Sequence, residues 1–107
     1  MPVPLHQAKA ELFRTLGHPV RIRILELLAE RDHAVRELLA TLQAEVAMER
    51  GSLSQQLAVL RRTGLVHQQR VAGEVVYSIV VPGTTALLAA ARQVPRELLA
   101  DAADIAE

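Results

Sequence analysis

The chain has 107 residues, no cysteine, and twelve basic side chains that are balanced by twelve acidic ones. This length fits one domain with one modest core, and the lack of cysteine excludes disulfides and thiolate metal sites. No run approaches the roughly 18 apolar residues of a membrane span, and no signal segment opens the chain, so a cytoplasmic protein is expected. Half of the residues are hydrophobic but only 2% are aromatic, which favours packed helices.

Zero net charge weighs against a nucleic-acid binder, but the charges are unevenly distributed. Residues 84–107 carry four acidic and two basic side chains, whereas residues 35–83 carry five arginines and four glutamates. Eleven of the twelve basic residues are arginine, which binds phosphate and guanine bidentately. Any nucleic-acid contacts are therefore expected in the middle of the chain.

Two helices are predicted at the start. The first covers residues 4–15, where four apolar residues recur at helical spacing, and Gly17 ends it. The second begins with Pro19 in a first-turn position after His18 and runs to about Arg31. It is apolar on more than one face, which is typical of a central core helix.

A short third helix is predicted from Val35 to Leu42. Asp32 is expected to be its N-cap, and His33 is expected to be exposed at the junction. Residues 43–48 leave two alternatives open, because they fit either an extension of the helix or a loop.

The fourth helix is predicted to begin between Arg50 and Ser52 and to end at Gly64, which has the position of a helix-terminating glycine. Its leucines recur at helical spacing, so one side of the helix faces the core. These inward residues are Leu53, Leu57 and Leu60, and the outward residues are Ser52, Gln55, Gln56 and Val59.

A hairpin is predicted next, with strands over residues 65–70 and 75–81. The turn covers residues 71–74, where Gly73 supplies a positive φ. Arg70 is the clear cation of the hairpin, and Glu74 is expected to offset its charge.

A last helix is predicted from Thr84 to about Glu107, after a break at Pro82-Gly83. Pro95 is expected to kink or divide it. The first and last helices carry more apolar side chains than a small monomer can bury, which predicts a homodimer. The interface residues are expected to be Leu5, Leu12, Leu87, Leu88, Val94, Leu98 and Leu99.

This order of elements resembles the winged helix-turn-helix of dimeric ArsR/SmtB-family regulators. Residues 16–28 (LGHPVRIRILELL) resemble the second-helix signature of that family, and residues 35–38 (VREL) resemble the start of its positioning helix. Residues 53–66 (LSQQLAVLRRTGLV) resemble its recognition helix and wing entry, and residues 76–79 (VYSI) resemble its second wing strand. The resemblance covers residues 10–92.

The resemblance implies a mainly α fold with a small β-hairpin, in which four helices precede the hairpin and a fifth follows it. Residues 1–107 would form a single domain, with residues 35–81 binding DNA and the first and last helices dimerising. The implied function is a sequence-specific transcriptional regulator, most simply a repressor, that binds a palindromic operator as a homodimer.

An α-helix enters the major groove with its N-terminal residues near base edges. Small serines let the backbone approach DNA, and glutamine can bond adenine bidentately or donate to phosphate. Gln56 stands where the family usually has histidine. The expected DNA contacts are Arg50, Ser52, Ser54, Gln55, Gln56, Arg61, Arg62 and Arg70. The plain alternative is the solvated face of an amphipathic helix.

A metal response is left open. The metal and arsenic sensors of the family use cysteine pairs or sets of Asp, His and Glu on the last helix, and this chain has no cysteine. A dimer could bring His6 near Asp101 and Asp104, and such a set suits Ni²⁺ or Zn²⁺. A solvated acidic face is the alternative, and the effector could also be a non-metal ligand, a partner protein or nothing.

Two other classes of function compete with DNA binding. Zero net charge and a weakly charged wing favour a winged-helix protein–protein interaction module. The small polar residues on the fourth helix disfavour it, because partner surfaces prefer aromatic anchors. An enzyme is not expected, because the sequence has no nucleophile–base pair, glycine-rich phosphate loop or spacing of a catalytic metal site.

Overall fold

A computed structural model describes residues 3–94 and Leu98. The elements are α1 (Leu5–Leu16), α2 (Pro19–Glu30), β1 (His33–Ala34), α3 (Val35–Val46), α4 (Arg50–Arg62), β2 (Val66–Val71), β3 (Glu74–Ile79) and α5 (Pro82–Ala91). The mainly α winged helix-turn-helix is confirmed, with one strand, β1, that was not predicted. No helix in the described part of the chain is long and apolar enough to cross a membrane.

The core is built around α2, as its apolar pattern predicts. Ile24 and Leu25 are fully buried, and α2 packs against α1, α4, α5 and β3. Leucines from α3 and α4 complete the core, with Tyr77 from the sheet. The start of α2 is also as expected, because Pro19 occupies the first turn and His18 Nδ1 accepts from the backbone N–H of Val20 at 3.2 Å.

The junction between α2 and α3 differs from the prediction. His33 and Ala34 form β1, which pairs with β3 so that His33 lies opposite Tyr77. His33 is therefore only 5% exposed, and its Nδ1 lies 2.9 Å from the carbonyl oxygen of Arg31. Helix α3 begins at Val35, as predicted, but its N-cap is Ala34 and not Asp32, because the strand His33–Ala34 lies between Asp32 and the helix.

The ambiguous residues 43–48 mostly continue α3, which ends at Val46. Ala47 then adopts the left-handed conformation, with φ of 50°. A three-residue link, 47–49, is enough to turn the chain into α4. The sequence does not indicate this boundary, because alanine occupies the position at which glycine usually terminates a helix.

Glycines mark the entry to the wing and the turn at its tip, as predicted. Gly64 has φ of 79° and its N–H donates to Arg61, while the N–H of Leu65 donates to the carbonyl of Leu60, which is the Schellman pattern. In the hairpin Val71 lies opposite Glu74. The turn is therefore only Ala72-Gly73, both with positive φ as a type I′ turn requires.

The last described helix starts earlier than predicted. Pro82 does not merely break β3 but occupies the first turn of α5, which tolerates proline. Helix α5 ends at Ala91, so residues 92–94 do not continue the helix that was predicted to run to about Glu107. The predicted kink at Pro95 and the predicted interface residue Leu99 lie outside the described residues.

Candidate DNA-binding surface

The first two turns of α4 present a polar face outward. Leu53 and Leu57 anchor the opposite face in the core. Ser52 and Gln55 are exposed, as predicted, and so are Arg50 and Ser54. No side chain caps the start of α4, so its first N–H groups are free to bind an anion such as phosphate. Val59, expected to face outward, is partly buried.

Gln56 differs from its neighbours because another side chain already binds it. Its Oε1 accepts a hydrogen bond from Nη1 of Arg21 at 3.1 Å. Arg21 in turn donates through Nε to the carbonyl oxygen of Thr15 at 2.6 Å. Gln56 is consequently half-buried, and only part of its amide is free for another partner.

Two cations lie at the far end of the same helix. Arg61 and Arg62 are exposed in the last turn of α4. Arginine here also interacts favourably with the negative end of the helix dipole, so this position has a structural role that does not depend on DNA. A phosphate contact by either residue stays a prediction.

The charges of the wing are paired differently from the prediction. Arg70 is exposed on β2, and its Nη1 lies 3.5 Å from the carbonyl oxygen of Gly73. Glu74 does not pair with Arg70 but with Arg36 on α3. This ion pair raises the pKa of the Arg36 guanidinium, and it ties the wing to the start of α3.

Arg36 was not among the predicted site residues. It lines, together with Arg50, Ser54 and Glu74, a shallow cleft of about 320 Å³ between α3, α4 and β3. Glu74 therefore places a negative charge in the same cleft as Arg50, which belongs to the expected DNA surface. The sequence shows that Arg36 lies in the first turn of a helix, but the partner 38 residues away is visible only in the folded chain.

The predicted dimer residues divide into two groups. Leu5 is 70% exposed, Leu98 is 62% exposed and Val94 is 36% exposed. The others are half-buried and pack against the core, namely Leu12, Leu87 and Leu88.

Phe13 was not among the predicted interface residues, although it is one of only two aromatic residues and is 56% exposed. It borders an apolar groove of about 630 Å³ between α1, α2 and α5. Leu87 and Leu88 line the opposite side of this groove. Assembly through this face stays a prediction.

The possible metal site cannot be assembled from the residues described. His6 is exposed on α1, whereas Asp101 and Asp104 lie outside the described part. Within residues 3–94 and Leu98, no group of three His, Asp or Glu side chains is arranged to hold a metal ion.

Comparisons with known proteins identify the family. Residues 18–68 match the sequence profile described as "Bacterial regulatory protein, arsR family". The HTH-type transcriptional regulator Rv0081 of Mycobacterium tuberculosis is 50% identical over 104 residues, which cover 97% of this chain and 89% of that protein. The chain belongs to the ArsR family. It is therefore a DNA-binding transcriptional regulator and not an enzyme, as predicted.

Solved structures of transcriptional regulators share the fold. The crystal structure of Rv0081 has a TM-score of 0.76 and covers 95% of this chain and 99% of that one. The transcriptional repressor BigR from Xylella fastidiosa has a TM-score of 0.73 at 30% identity, covering 83% and 87%. The DNA-binding domain of Mb0332 from Mycobacterium bovis, described as homodimeric, has a TM-score of 0.70 at 27% identity, covering 89% and 84%.

Proposed function

We propose that this ArsR-family regulator represses transcription by binding an inverted-repeat operator as a homodimer. Helices α1 and α5 form the dimer interface, and residues 35–81 form the DNA-binding surface within a single domain. The observation that carries the proposal is the polar face of α4. Arg50, Ser52, Ser54 and Gln55 are exposed on this face, while the leucines on the opposite face are buried in the core. The relatives described as a repressor and as a homodimer support the same reading.

The proposed complex follows from the shape of α4. A helix with a small, polar N-terminal half enters the major groove, and its first residues reach base edges. Two-fold symmetry then places two copies of α4 about one DNA turn, roughly 34 Å, apart on one side of the duplex. A regulator of this kind works in the cytoplasm, where bacterial chromosomal DNA lies.

Specificity rests on α4 and on dimer spacing more than on the wing. The protein has no net charge, and Glu74 neutralises Arg36 beside the expected surface. Nonspecific binding depends on neutralising phosphates, so this balance keeps nonspecific affinity modest. The exposed Arg70 and Arg62 supply phosphate contacts at the two ends of the surface.

Binding to the DNA upstream of the protein's own coding sequence tests the proposal. Fluorescence anisotropy should detect binding to that DNA, and an unrelated duplex of equal length should bind more weakly. A few phosphate contacts per subunit predict a slope of about −4 to −8 for log affinity against log salt concentration. A flat salt response, or equal affinity for both duplexes, would reject a sequence-specific regulator and favour a protein–protein interaction module.

Metal responsiveness is a separate proposal that rests on His6, Asp101 and Asp104. Carboxylate and imidazole ligands suit Ni²⁺ or Zn²⁺, and a metal bound between α1 and the end of the chain would act on the dimer. Calorimetric titration of each ion into the wild type and into His6→Ala tests it. Heats that are absent, or equal in both proteins, reject the site without affecting the proposed DNA binding.

A further inference from the structure

Arg21 joins three helices through two hydrogen bonds. It lies in the first turn of α2, its Nε donates to the carbonyl oxygen of Thr15 in α1 at 2.6 Å, and its Nη1 donates to Oε1 of Gln56 in α4 at 3.1 Å. A planar guanidinium that is bonded at two nitrogens retains little rotational freedom. Arg21 therefore holds the Gln56 amide in one place relative to α1 and α2.

The contact also determines which atoms of Gln56 are left for DNA. Guanidinium nitrogens only donate hydrogen bonds, so Gln56 presents its oxygen to Arg21 and keeps its NH₂ group unengaged by that contact. Gln56 also lines an open cleft of about 450 Å³ with Glu49 and Ser52, at the start of α4. At this end of the helix, position 56 thus offers hydrogen-bond donors to a molecule that approaches from outside.

We propose that Arg21 is a positioning residue for DNA recognition, which holds Gln56 as a hydrogen-bond donor toward an acceptor atom of DNA. The inference rests on the proposed function, because it concerns how the same surface of α4 binds. The acceptor is a phosphate oxygen or an acceptor atom on a major-groove base edge, such as N7 or O6 of guanine. This donor contact replaces the bidentate pairing with adenine that the sequence alone allows for Gln56.

A double-mutant cycle tests the inference. Arg21→Met and Gln56→Met each remove hydrogen-bonding groups while keeping an unbranched side chain. The probe is the duplex that the wild-type protein enriches from a randomised library. Each single variant should bind this duplex about tenfold more weakly, and the double variant should bind no more weakly than Gln56→Met. Such non-additivity is the result expected if Arg21 acts through Gln56.

The salt dependence separates positioning from direct contact. If Arg21 only positions Gln56, the slope of log affinity against log salt is the same in the wild type and in Arg21→Met. The inference is overturned if the slope in Arg21→Met is less steep by about one per subunit and the losses in the cycle are additive. Arg21 itself then neutralises a phosphate. Unchanged affinity in Arg21→Met overturns the inference as well.

Repeating the selection with Gln56→Met distinguishes the two acceptors. A base contact predicts that preference is lost at one position in each half-site, whereas a phosphate contact predicts uniform weakening for all sequences. Melting temperature and oligomeric state are measured for every variant. If Arg21→Met does not fold, Arg21→Lys replaces it in the cycle, because lysine keeps the charge but lacks the planar fork that reaches both Thr15 and Gln56.

Failure of the proposed function has a different outcome. If the wild-type protein enriches no duplex, sequence-specific DNA binding itself fails, and the role of Arg21 fails with it. If the wild type enriches a duplex and Arg21→Lys or Arg21→Met binds it equally well, only the positioning role is rejected.

Discussion

Glu37 joins the strand β1 to the helix α3 that follows it. Its carboxylate accepts hydrogen bonds from the backbone N–H of Ala34 and from Nη2 of Arg31, both at 2.9 Å. These bonds stabilise the ionised form and lower the pKa of Glu37 from 4.5 to about 2, with the Arg31 bond as the larger cause. The unfolded chain therefore takes up this proton first as the pH falls. The stabilisation by Glu37 is complete above about pH 4.5 and is lost as the pH falls toward 2.

Glu37→Gln should reveal this dependence. Glutamine keeps an oxygen that can accept from Ala34 but loses the charge that binds Arg31, so the variant should melt at a lower temperature than the wild type at pH 7. The difference should shrink steadily as the pH falls from about 4.5 toward 2. Melting curves recorded from neutral to acidic pH measure it, with Glu30→Gln on exposed α2 surface as the matched control. A difference that stays constant across this range would contradict the role of the Glu37 charge.

Substitution of Arg62 distinguishes a side chain that binds phosphate from one that only stabilises the end of α4. If it binds phosphate, Arg62→Ala should weaken binding to specific and unrelated duplexes by a similar factor. It should also make the salt slope less steep by about one for each subunit. Arg14→Ala removes an exposed arginine from α1 and is the control for net charge. An Arg62→Ala slope equal to that of Arg14→Ala would leave Arg62 with only its helix-terminal role.

At the level of elements, periodic leucines made most of the fold predictable. The spacing of Leu53, Leu57 and Leu60 predicted the buried face of α4. On the opposite side Ser52 and Gln55 are exposed as expected, but Gln56 and Val59 are half-buried. Glycine revealed the end of α4 at Gly64. No such signal marked the end of α3, since Ala47 occupies the left-handed position. The sequence therefore left residues 43–48 open.

The strand β1 and the contacts of the site depended on distant residues. His33 is buried because it pairs with Tyr77, and two residues are too few for an alternating pattern. Likewise the bond from Arg21 to Gln56 spans 35 residues. Periodicity predicts which face of a helix is exposed, but it does not predict which side chain of another element reaches that face.

The left-handed Ala47 is a point where α3 can be stabilised. A non-glycine residue in this conformation costs about 1 kcal/mol, so Ala47→Gly should raise the free energy of unfolding by up to about 1 kcal/mol. Chemical denaturation measures the change. Ala44→Gly, one turn earlier inside α3, is the matched control and should lower stability by about 1 kcal/mol. Equal effects of the two substitutions would contradict the helix end at Val46.

At the level of the whole molecule, α1 and α5 present an apolar face that the described monomer does not cover. Phe13 is 56% exposed and Leu5 is 70% exposed, and a groove of about 630 Å³ lies between these helices and α2. An exposed apolar surface of this kind is typical of an interface. Arg21 binds both Thr15 on α1 and Gln56 on α4, so two hydrogen bonds connect the helix of the proposed dimer face with the proposed DNA-reading helix.

Phe13→Asp should therefore convert a dimer into a monomer. The wild type should sediment at micromolar concentration with twice the 11.7 kDa mass of the chain, and the variant should sediment at that mass, because the interface would have to bury a carboxylate without a partner. Operator affinity should fall as well, since each monomer would bind only one half-site. Val46→Asp, at a position 53% exposed on α3, should remain dimeric. If Phe13→Asp folds and remains dimeric, the subunits associate through another face, and the two copies of α4 need a different spacing on DNA.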